Sequence, residues 1–302
     1  MNSDSTRTVA VTGASGLIGS ALVTALRSEG HRVKTLVRRP PSDPDEVQWQ
    51  PGRPLDPAAL EGVGAVVHLA GAGVADRRWT TKYKRLILQS RVDGTDTIAR
   101  AMAAMPQPPA VLVSASAIGF YGDTGDRAVD ESAPQGEGFL ADVVAQWEAA
   151  ADPARQAGIR VVHPRTGLVV SSRGGAWARL FPFFKAGIGG RLGSGRQYWS
   201  WISLRDEIAA LQHLLRTDLA GPVNLTAPEP VTNAAVTEAM GEALRRPAVL
   251  PVPAFAVRIY SGEASGDVLG SLRVLPARLE ESGFHWRDHN VLDATRAAVS
   301  GW

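Results

Sequence analysis

The chain alternates short apolar runs with longer segments in which apolar residues recur every three or four positions. Apolar runs of strand length predict β-strands at 8–12, 32–37, 65–69, 110–114 and 159–164. Helical spacing predicts helices at 17–28, 82–105, 138–156, 205–216 and 233–245. Strands that alternate with helices are typical of βαβ units, so the first half of the chain is expected to form a parallel sheet.

The sequence pattern changes at about residue 174, where glycine- and aromatic-rich loops and shorter helices replace the regular alternation of strands and helices. This change predicts three regions. Residues 1–7 are expected to be a flexible tail and 8–173 a doubly wound parallel α/β domain. Residues 174–302 are expected to form a smaller α/β C-terminal lobe that interleaves with the end of the sheet.

Composition excludes several classes of protein. The 32 basic residues nearly balance the 30 acidic ones, and no basic stripe interleaved with aromatics is present, so nucleic acid is not an expected partner. Cysteine is absent, which excludes disulfides and a thiolate nucleophile, and no His or carboxylate cluster has metal-ligand spacing. The N-terminus has no signal-peptide pattern, and the longest uncharged run, 101–122, contains three prolines. A cytoplasmic protein without membrane association is expected.

A glycine-rich loop follows the first predicted strand. In TGASGLIG (12–19) the glycines at 13, 16 and 19 suit a tight turn, close approach of backbone to a diphosphate, and close packing of helix on strand. The helix that begins there offers free N–H groups to phosphates. A Rossmann-type dinucleotide site is therefore predicted, with a plain turn as the alternative. Its expected contacts are Gly13, Ser15, Gly16, Leu17, Ile18 and Gly19.

The second strand ends in Arg38 and Arg39, where an NAD site usually carries an acidic residue for the ribose hydroxyls. Guanidinium groups can instead bind a 2′-phosphate, so NADP(H) is expected in preference to NAD(H). Solvated loop residues are the alternative, and this applies with more force to Arg39.

Residues that follow the other predicted strands are expected to line the same cofactor. They are Leu69, Ala70 and Gly71 after the third strand, Ser114 after the fourth, and Pro164 and Arg165 at the fifth.

Several longer segments resemble the extended short-chain dehydrogenase/reductase superfamily, and within it the atypical epimerase-like branch known as sugar-nucleotide epimerase homologues, sometimes called cell-division inhibitors. Besides the glycine loop, the matching segments are ADRRWTTKYKRLILQSRVDGT (75–95), SASAIGFYGD (114–123), RTGLVVSSRGGAWARLFPFFKAGIGGRLGSGRQYWSWISLRDE (165–207), GPVNLTAPEPVTN (221–233) and RVLPARLEESGF (273–284). The resemblance covers nearly the whole chain. It implies a Rossmann domain followed by a small C-terminal domain of unknown function.

The superfamily's chemistry depends on a Tyr and a Lys four residues later, which exchange a proton with the substrate while hydride moves. Aligning Glu148 with the superfamily's glutamate places Leu140 and Val144 at those positions, and a shift by one places Phe139 and Val143 there. Neither alignment leaves a titratable pair, so the usual mechanism is not expected from this helix.

Two polar residues remain as catalytic candidates. Ser116 is the expected counterpart of the superfamily's substrate-orienting serine. Tyr121 is a nearby phenol that could act as an acid or base if its pKa were depressed, and packing on the rim of the sheet is its alternative.

A second departure from the superfamily lies in the segment 193–206. Where nucleotide-sugar enzymes carry an Arg-Asp pair that grips a diphosphate, this chain has Trp199 and Ser200. Arg196 could replace that arginine, and Trp199 and Trp201 could stack on a ring, although closing the sheet edge is an equal alternative for Trp201. The expected substrate-side residues are Arg196, Gln197, Trp199 and Trp201. Asp206 matches the superfamily, but its place in the first turn of a helix is an adequate explanation.

Two functions therefore remain open. The first is an NADP(H)-dependent epimerase or reductase with an unknown small-molecule substrate. The second is a non-catalytic NADP(H)-binding regulator or interaction protein. A homodimer is left open.

Overall fold

The computed structural model describes residues 7–301, so the flexible tail expected at 1–7 lies, apart from Arg7, outside the described residues. The strands are β1 Thr8–Thr12, β2 Arg32–Val37, β3 Glu46–Gln48, β4 Ala65–His68, β5 Val111–Ser114, β6 Ser116–Ala117, β7 Ala128–Val129, β8 Arg160–Thr166, β9 Leu168–Val170, β10 Tyr198–Trp199, β11 Trp201–Ser203, β12 Gly221–Leu225, β13 Val231–Thr232 and β14 Arg273–Val274. The α-helices are α1 Leu17–Ser28, α2 Thr81–Ala103, α3 Phe139–Ala149, α4 Asp152–Gln156, α5 Gly175–Lys185, α6 Leu204–Arg216, α7 Asn233–Leu244, α8 Ala254–Ser261, α9 Ser265–Leu269, α10 Ala277–Glu281 and α11 Val291–Val299.

The main sheet has eight strands, and its path runs β12-β8-β5-β4-β1-β2-β3, with short β6 paired to β8. Each of these pairs is parallel. The chain moves outwards from β1 to β3 and then crosses back to β4 on the other side of β1. The carboxyl ends of β1 and β4 therefore flank the switch point at which open α/β sheets bind ligands.

Alternate residues of each strand face opposite layers of helices. Val9 and Val11 belong to a core cluster with α1 and α6, whereas Ala10 packs with α2 and α4. Both faces are covered, which explains why these strands are continuous apolar runs in the sequence. The prediction of a Rossmann-type, doubly wound parallel sheet is confirmed.

The helix predicted over 138–156 is two helices, α3 and α4, with Ala150 and Ala151 between them. Pro153 explains the break, because in a continuous helix it would have no N–H for the preceding turn and its ring would clash there. At the start of α4, where Pro153 lies, that N–H is not needed.

The second lobe has its own core, in which α5, α7 and α11 pack around Trp177, Phe181 and Trp201. Asp206 attaches the C-terminal segment to α6, which packs on the main sheet. The Ser203 hydroxyl accepts a hydrogen bond from the Asp206 N–H at 3.1 Å, and the Asp206 carboxylate accepts from the N–H groups of Arg287 at 2.9 Å and Asp288 at 3.0 Å. Asp206 is thus a buried structural carboxylate at the start of α6.

Strand β12, from the second half of the chain, completes the edge of the main sheet beside β8. A segment of the expected second lobe is thus a strand of the main sheet. A domain boundary at residue 173 remains a prediction. Among residues 7–301, no helix combines the length and the apolar character that crossing a bilayer would require.

Candidate dinucleotide site at the sheet switch point

The loop between β1 and α1, residues 12–19, is called the phosphate loop here, after the role that the sequence predicts for it. Gly13 has φ +67°, and a Cβ on it would lie 2.8 Å from the carbonyl carbon of Leu69. A Cβ on Gly19 would lie 2.2 Å from the Gly13 oxygen. Glycine is thus required at position 13 for both conformation and space, and at position 19 for space alone.

Helix α1 begins at this loop without a side-chain cap and without an acidic residue in its first turn. Ser15 and Gly16 are exposed, while Leu17 and Ile18 pack partly into the core. An uncapped helix N-terminus with exposed backbone favours an anion. The six residues that the sequence singled out lie at this helix N-terminus, and their contact with a cofactor stays a prediction.

The loop that follows β4, residues 69–73, lies against Gly13 of the phosphate loop and is called the rim loop here. Thr12 holds it, because its hydroxyl oxygen accepts hydrogen bonds from the N–H groups of Leu69 at 3.1 Å and Ala70 at 3.2 Å. The Thr12 hydroxyl has a single proton, and it donates that proton to His68 Nδ1 at 2.8 Å.

His68 is consequently a neutral, structural histidine. Its Nδ1 accepts the Thr12 proton, so its own proton lies on Nε2. Complete burial lowers the pKa of His68 to about 4, which agrees with a neutral ring at physiological pH.

The two arginines after β2 have different surroundings. Arg39 forms a bidentate pair with Glu46, with Nη1 to Oε2 at 2.8 Å and Nη2 to Oε1 at 2.5 Å, and this hydrogen bonding together with Ser42 lowers the pKa of Glu46 to about 2. Arg38 is exposed and makes no hydrogen bond or ion pair within residues 7–301. The guanidinium of Arg39 is therefore engaged by a carboxylate, whereas that of Arg38 has no partner among the described residues. A cofactor contact of either arginine stays a prediction.

The candidate catalytic residues belong to a buried polar network on the side of the sheet that α3 covers. Ser116 donates to Glu148 Oε1 at 2.6 Å, and Arg165 donates to both oxygens of Glu148, from Nε at 2.8 Å and from Nη2 at 2.9 Å. Arg165 Nη1 donates to the Tyr121 oxygen at 3.0 Å, and Tyr121 donates to Asn224 Oδ1 at 2.8 Å. Burial alone would raise the pKa of Glu148, but the contact with Arg165 lowers it overall.

This network changes the interpretation of two residues. Burial raises the pKa of Tyr121 despite Arg165 beside it, so the depressed value that acid–base chemistry needs is not provided. Tyr121 is a packed network member at the rim, as its alternative proposed. Arg165 was expected at the cofactor, but its side chain is buried against Glu148 and over the Phe120 ring at 3.5 Å, so this expectation is corrected.

Ser114 is the last residue of β5, whereas Pro164 lies within β8, which continues to Thr166; both residues are buried. The Ser114 hydroxyl has no hydrogen-bond partner among the described residues. On α3, Val143 and Val144 are buried and Leu140 packs against a small apolar cluster with Phe139. The side chains at all four aligned positions are therefore apolar and in contact with the protein interior.

The four expected substrate-side residues do not have the same surroundings. Trp201 is 1% exposed, and its Nε1 donates to the backbone carbonyl of Glu229. Trp199 is 7% exposed and packs against Trp177. Their rings are core rather than stacking faces, which corrects the expectation for both. Gln197 is also buried and donates to the Leu192 oxygen.

Arg196 is exposed, but it lines an open groove of about 430 Å³ on the second lobe. The other residues of this groove are Asp126, Arg191, Ser194, Gly195, Tyr198, Thr232 and Ala234. None of them belongs to the phosphate loop or the rim loop, so the geometry does not join Arg196 to the cofactor edge.

Sequence reasoning missed Glu207, which is 1% exposed on α6. Its Oε1 accepts from the Thr166 hydroxyl at 2.9 Å, and its Oε2 has no partner within the described part of the chain. Burial raises the pKa of Glu207 to about 8, so the carboxyl is largely protonated at pH 7. A charged first turn is ordinary in a helix, so nothing in the sequence marked this residue. In residues 7–301 no group of three or more His or carboxylate side chains is placed to hold a metal.

Comparison with known families decides the wider relationship. A family model described as the NAD dependent epimerase/dehydratase family matches residues 9–226. This protein belongs to the NAD dependent epimerase/dehydratase family. A second model, described as a domain of unknown function (DUF1731), matches residues 252–298.

Members of this family from distant organisms match the chain along nearly its whole length. Epimerase family protein MT2273 of Mycobacterium tuberculosis is 47% identical over 295 residues, which is 97% of each chain. Epimerase family protein SDR39U1 of Bos taurus is 36% identical over 92% of this chain and 95% of its own. The resemblance inferred from the sequence motifs is confirmed.

Solved structures agree with the fold. The human epimerase family protein SDR39U1 (isoform 2), solved with NADPH, superposes with a TM-score of 0.88 at 30% identity, over 98% of this chain and all of that one. A nucleoside-diphosphate sugar epimerase from Corynebacterium glutamicum gives a TM-score of 0.81 at 35% identity, over 96% of this chain and 57% of that one.

Proposed function

We propose that this epimerase-family protein binds NADP(H) in preference to NAD(H) at the switch point of its sheet and acts there without a Tyr/Lys pair. The observation that carries the proposal is the contrast between the two arginines after β2. Arg39 is held by Glu46, whereas Arg38 is exposed and unpaired among the described residues. A free guanidinium fork at this position suits a 2′-phosphate and gives no advantage with NAD(H). The NADPH in the structure of human SDR39U1 supports the same choice.

The preference is tested by measuring the dissociation constants of NADPH and NADH by calorimetry. Arg38→Ala is expected to weaken NADPH about tenfold or more, because charge-assisted hydrogen bonds to the 2′-phosphate are lost. It is expected to leave NADH unchanged. Arg39→Ala is the matched control, since it removes the same charge one residue away, and it should change neither constant by more than about twofold. An equal loss of NADPH affinity in both variants would contradict the assignment of Arg38.

Catalysis, if it occurs, needs a source of protons other than α3. The aligned positions on α3 are apolar, and apolar side chains cannot exchange protons with a substrate. We therefore propose an epimerase- or reductase-like function whose acid–base group is supplied by another part of the site or by the substrate. A cytoplasmic location belongs to the same proposal.

A non-catalytic NADP(H)-dependent regulator is the second candidate. It is favoured by the buried polar network, in which Ser116 and Tyr121 hydrogen-bond to the protein and not to an open cleft. Incubation of the purified protein with NADPH and a panel of sugar nucleotides, quinones and carbonyl compounds separates the two. Consumption of NADPH that Ser116→Ala reduces supports the enzyme. Tight NADPH binding without turnover across the panel supports the regulator.

A further inference from the structure

Arg91, on α2, is a half-buried cation that the proposed function does not use. The other buried arginine of the site, Arg165, has Glu148 as its counter-ion. Arg91 forms no ion pair with any residue from 7 to 301, and burial lowers its pKa to about 10, so it still carries its charge at neutral pH. Removing a guanidinium from water without a carboxylate partner is costly, and such charges are usually paired.

The hydrogen bonds of Arg91 leave one edge of the guanidinium free. Nη1 donates to the Ala72 oxygen at 2.9 Å and to the Ile87 oxygen at 3.0 Å. A guanidinium has five N–H groups, so the Nε and Nη2 edge keeps its donors, and the described residues offer this edge no acceptor. That edge has the parallel geometry that binds phosphate or carboxylate through two hydrogen bonds.

The guanidinium of Arg91 lies beside the rim loop. A Cβ on Gly71 would lie 3.5 Å from Arg91 Cζ and 3.6 Å from Nη1, so the group lies against an exposed glycine of this loop. The same loop contacts Gly13 of the phosphate loop through Leu69 and Ala70. A side chain at position 71 would cover the guanidinium, whereas glycine leaves it accessible.

On its other side Arg91 faces α3. Its Cζ lies 4.9 Å from the centre of the Trp147 ring, and Trp147 is one turn beyond Val143. The aligned positions of α3 carry no charge. Arg91 therefore places a positive charge between the rim loop and α3, whose aligned positions have none.

We propose that Arg91 binds an oxyanion at the rim loop, through its Nε and Nη2 edge. The oxyanion is a diphosphate, supplied either by the bound dinucleotide or by a second, diphosphate-bearing ligand beside it. The first source rests on the proposed function, and the second does not require it.

Two substitutions and one control test this proposal. Arg91→Met keeps most of the length and removes the charge, whereas Arg91→Lys keeps the charge but loses the fork. Arg100→Met, on the same helix, removes an exposed arginine that is paired with Asp96 and serves as the control. Calorimetry measures NADPH binding to the free protein, and then inorganic pyrophosphate binding to the protein saturated with NADPH.

If the dinucleotide is the source, Arg91→Met weakens NADPH by about tenfold or more, Arg91→Lys weakens it less, and Arg100→Met has no effect. If a second ligand is the source, NADPH affinity is unchanged, and pyrophosphate binds the NADPH-saturated wild-type protein but not Arg91→Met. Unchanged NADPH affinity together with no pyrophosphate binding by the wild-type protein overturns the proposal.

A purely structural role for Arg91 predicts a different set of results. Loss of the bond to the Ala72 oxygen would then lower the stability of the cofactor-free protein, and Arg91→Lys and Arg91→Met would weaken NADPH in proportion to that loss. An anion site instead makes the affinity difference between wild type and Arg91→Met shrink as salt rises. If the wild-type protein binds no NADPH, the proposed function fails. The pyrophosphate titration of the cofactor-free protein then decides the role of Arg91 by itself.

Discussion

Replacement of Gly13 by alanine tests the geometry on which the cofactor site depends. The left-handed φ of +67° costs any L-residue about 1–2 kcal/mol. The new Cβ would also lie 2.8 Å from the carbonyl carbon of Leu69, so the rim loop must move. Overpacking of this kind adds about 1–3 kcal/mol, giving a total loss in the free energy of unfolding of about 2–5 kcal/mol.

Gly62 provides a matched control, because it has a similar φ of +73° and no heavy atom within 4 Å of its would-be Cβ. Gly62→Ala should cost only the conformational part, about 1–2 kcal/mol, and should leave NADPH binding intact. Denaturant unfolding of the cofactor-free proteins measures the first quantity, and calorimetry with NADPH measures the second. The reasoning would be falsified if Gly13→Ala cost no more than Gly62→Ala, or bound NADPH as well as the wild type.

Two further predictions concern groups buried near the site. Burial raises the pKa of Glu207 to about 8 in the folded protein, whereas the unfolded chain releases this proton near pH 4.5. The contribution of Glu207 to the free energy of unfolding therefore falls as pH rises from about 4.5 to 8. Glu207→Gln should therefore gain stability relative to wild type across this window, measured by urea unfolding at pH 5 and pH 8, and a constant difference would contradict the shift. Tyr121→Phe leaves Arg165 Nη1 and Asn224 Oδ1 without their shared partner and should cost about 1–3 kcal/mol. If it instead abolished a measured NADPH-dependent activity while leaving stability unchanged, Tyr121 would be catalytic after all.

The sheet and its flanking helices could be predicted because inner strands such as β1 and β4 bury both faces and helices such as α1 bury one. Strands β1 and β2 and helix α1 have the predicted bounds, since their apolar patterns are complete and their ends are marked by glycine or polar residues. The break between α3 and α4 depends on a single proline inside an otherwise helical pattern, and such a proline can kink, end or start a helix. Strands of two residues, such as β7 and β14, pair with each other across more than 140 positions, which no local pattern reveals.

The geometry of the glycine loop could be predicted, and the buried polar network could not. Glycines that need a left-handed φ or close contact leave a clear spacing in the sequence, as Gly13 and Gly19 show. Whether an arginine is free or ion-paired depends on which carboxylate lies beside it in the folded protein. Arg39 is taken by Glu46 seven residues away, and Arg165 by Glu148 from the facing helix. The burial of Trp199 and Trp201 could not be predicted either, because the sequence pattern of 193–206 does not distinguish a ring that stacks on a ligand from a ring that packs in the core.

A structure of the protein with NADPH bound would show whether the phosphate loop and Arg38 hold the cofactor. We expect the diphosphate over the N-terminus of α1, the 2′-phosphate within ~3.2 Å of the Arg38 guanidinium, and no Tyr/Lys pair at the nicotinamide. A 2′-phosphate held by Arg39, a dinucleotide bound away from the phosphate loop, or a Tyr/Lys pair from another segment reaching the nicotinamide would contradict it.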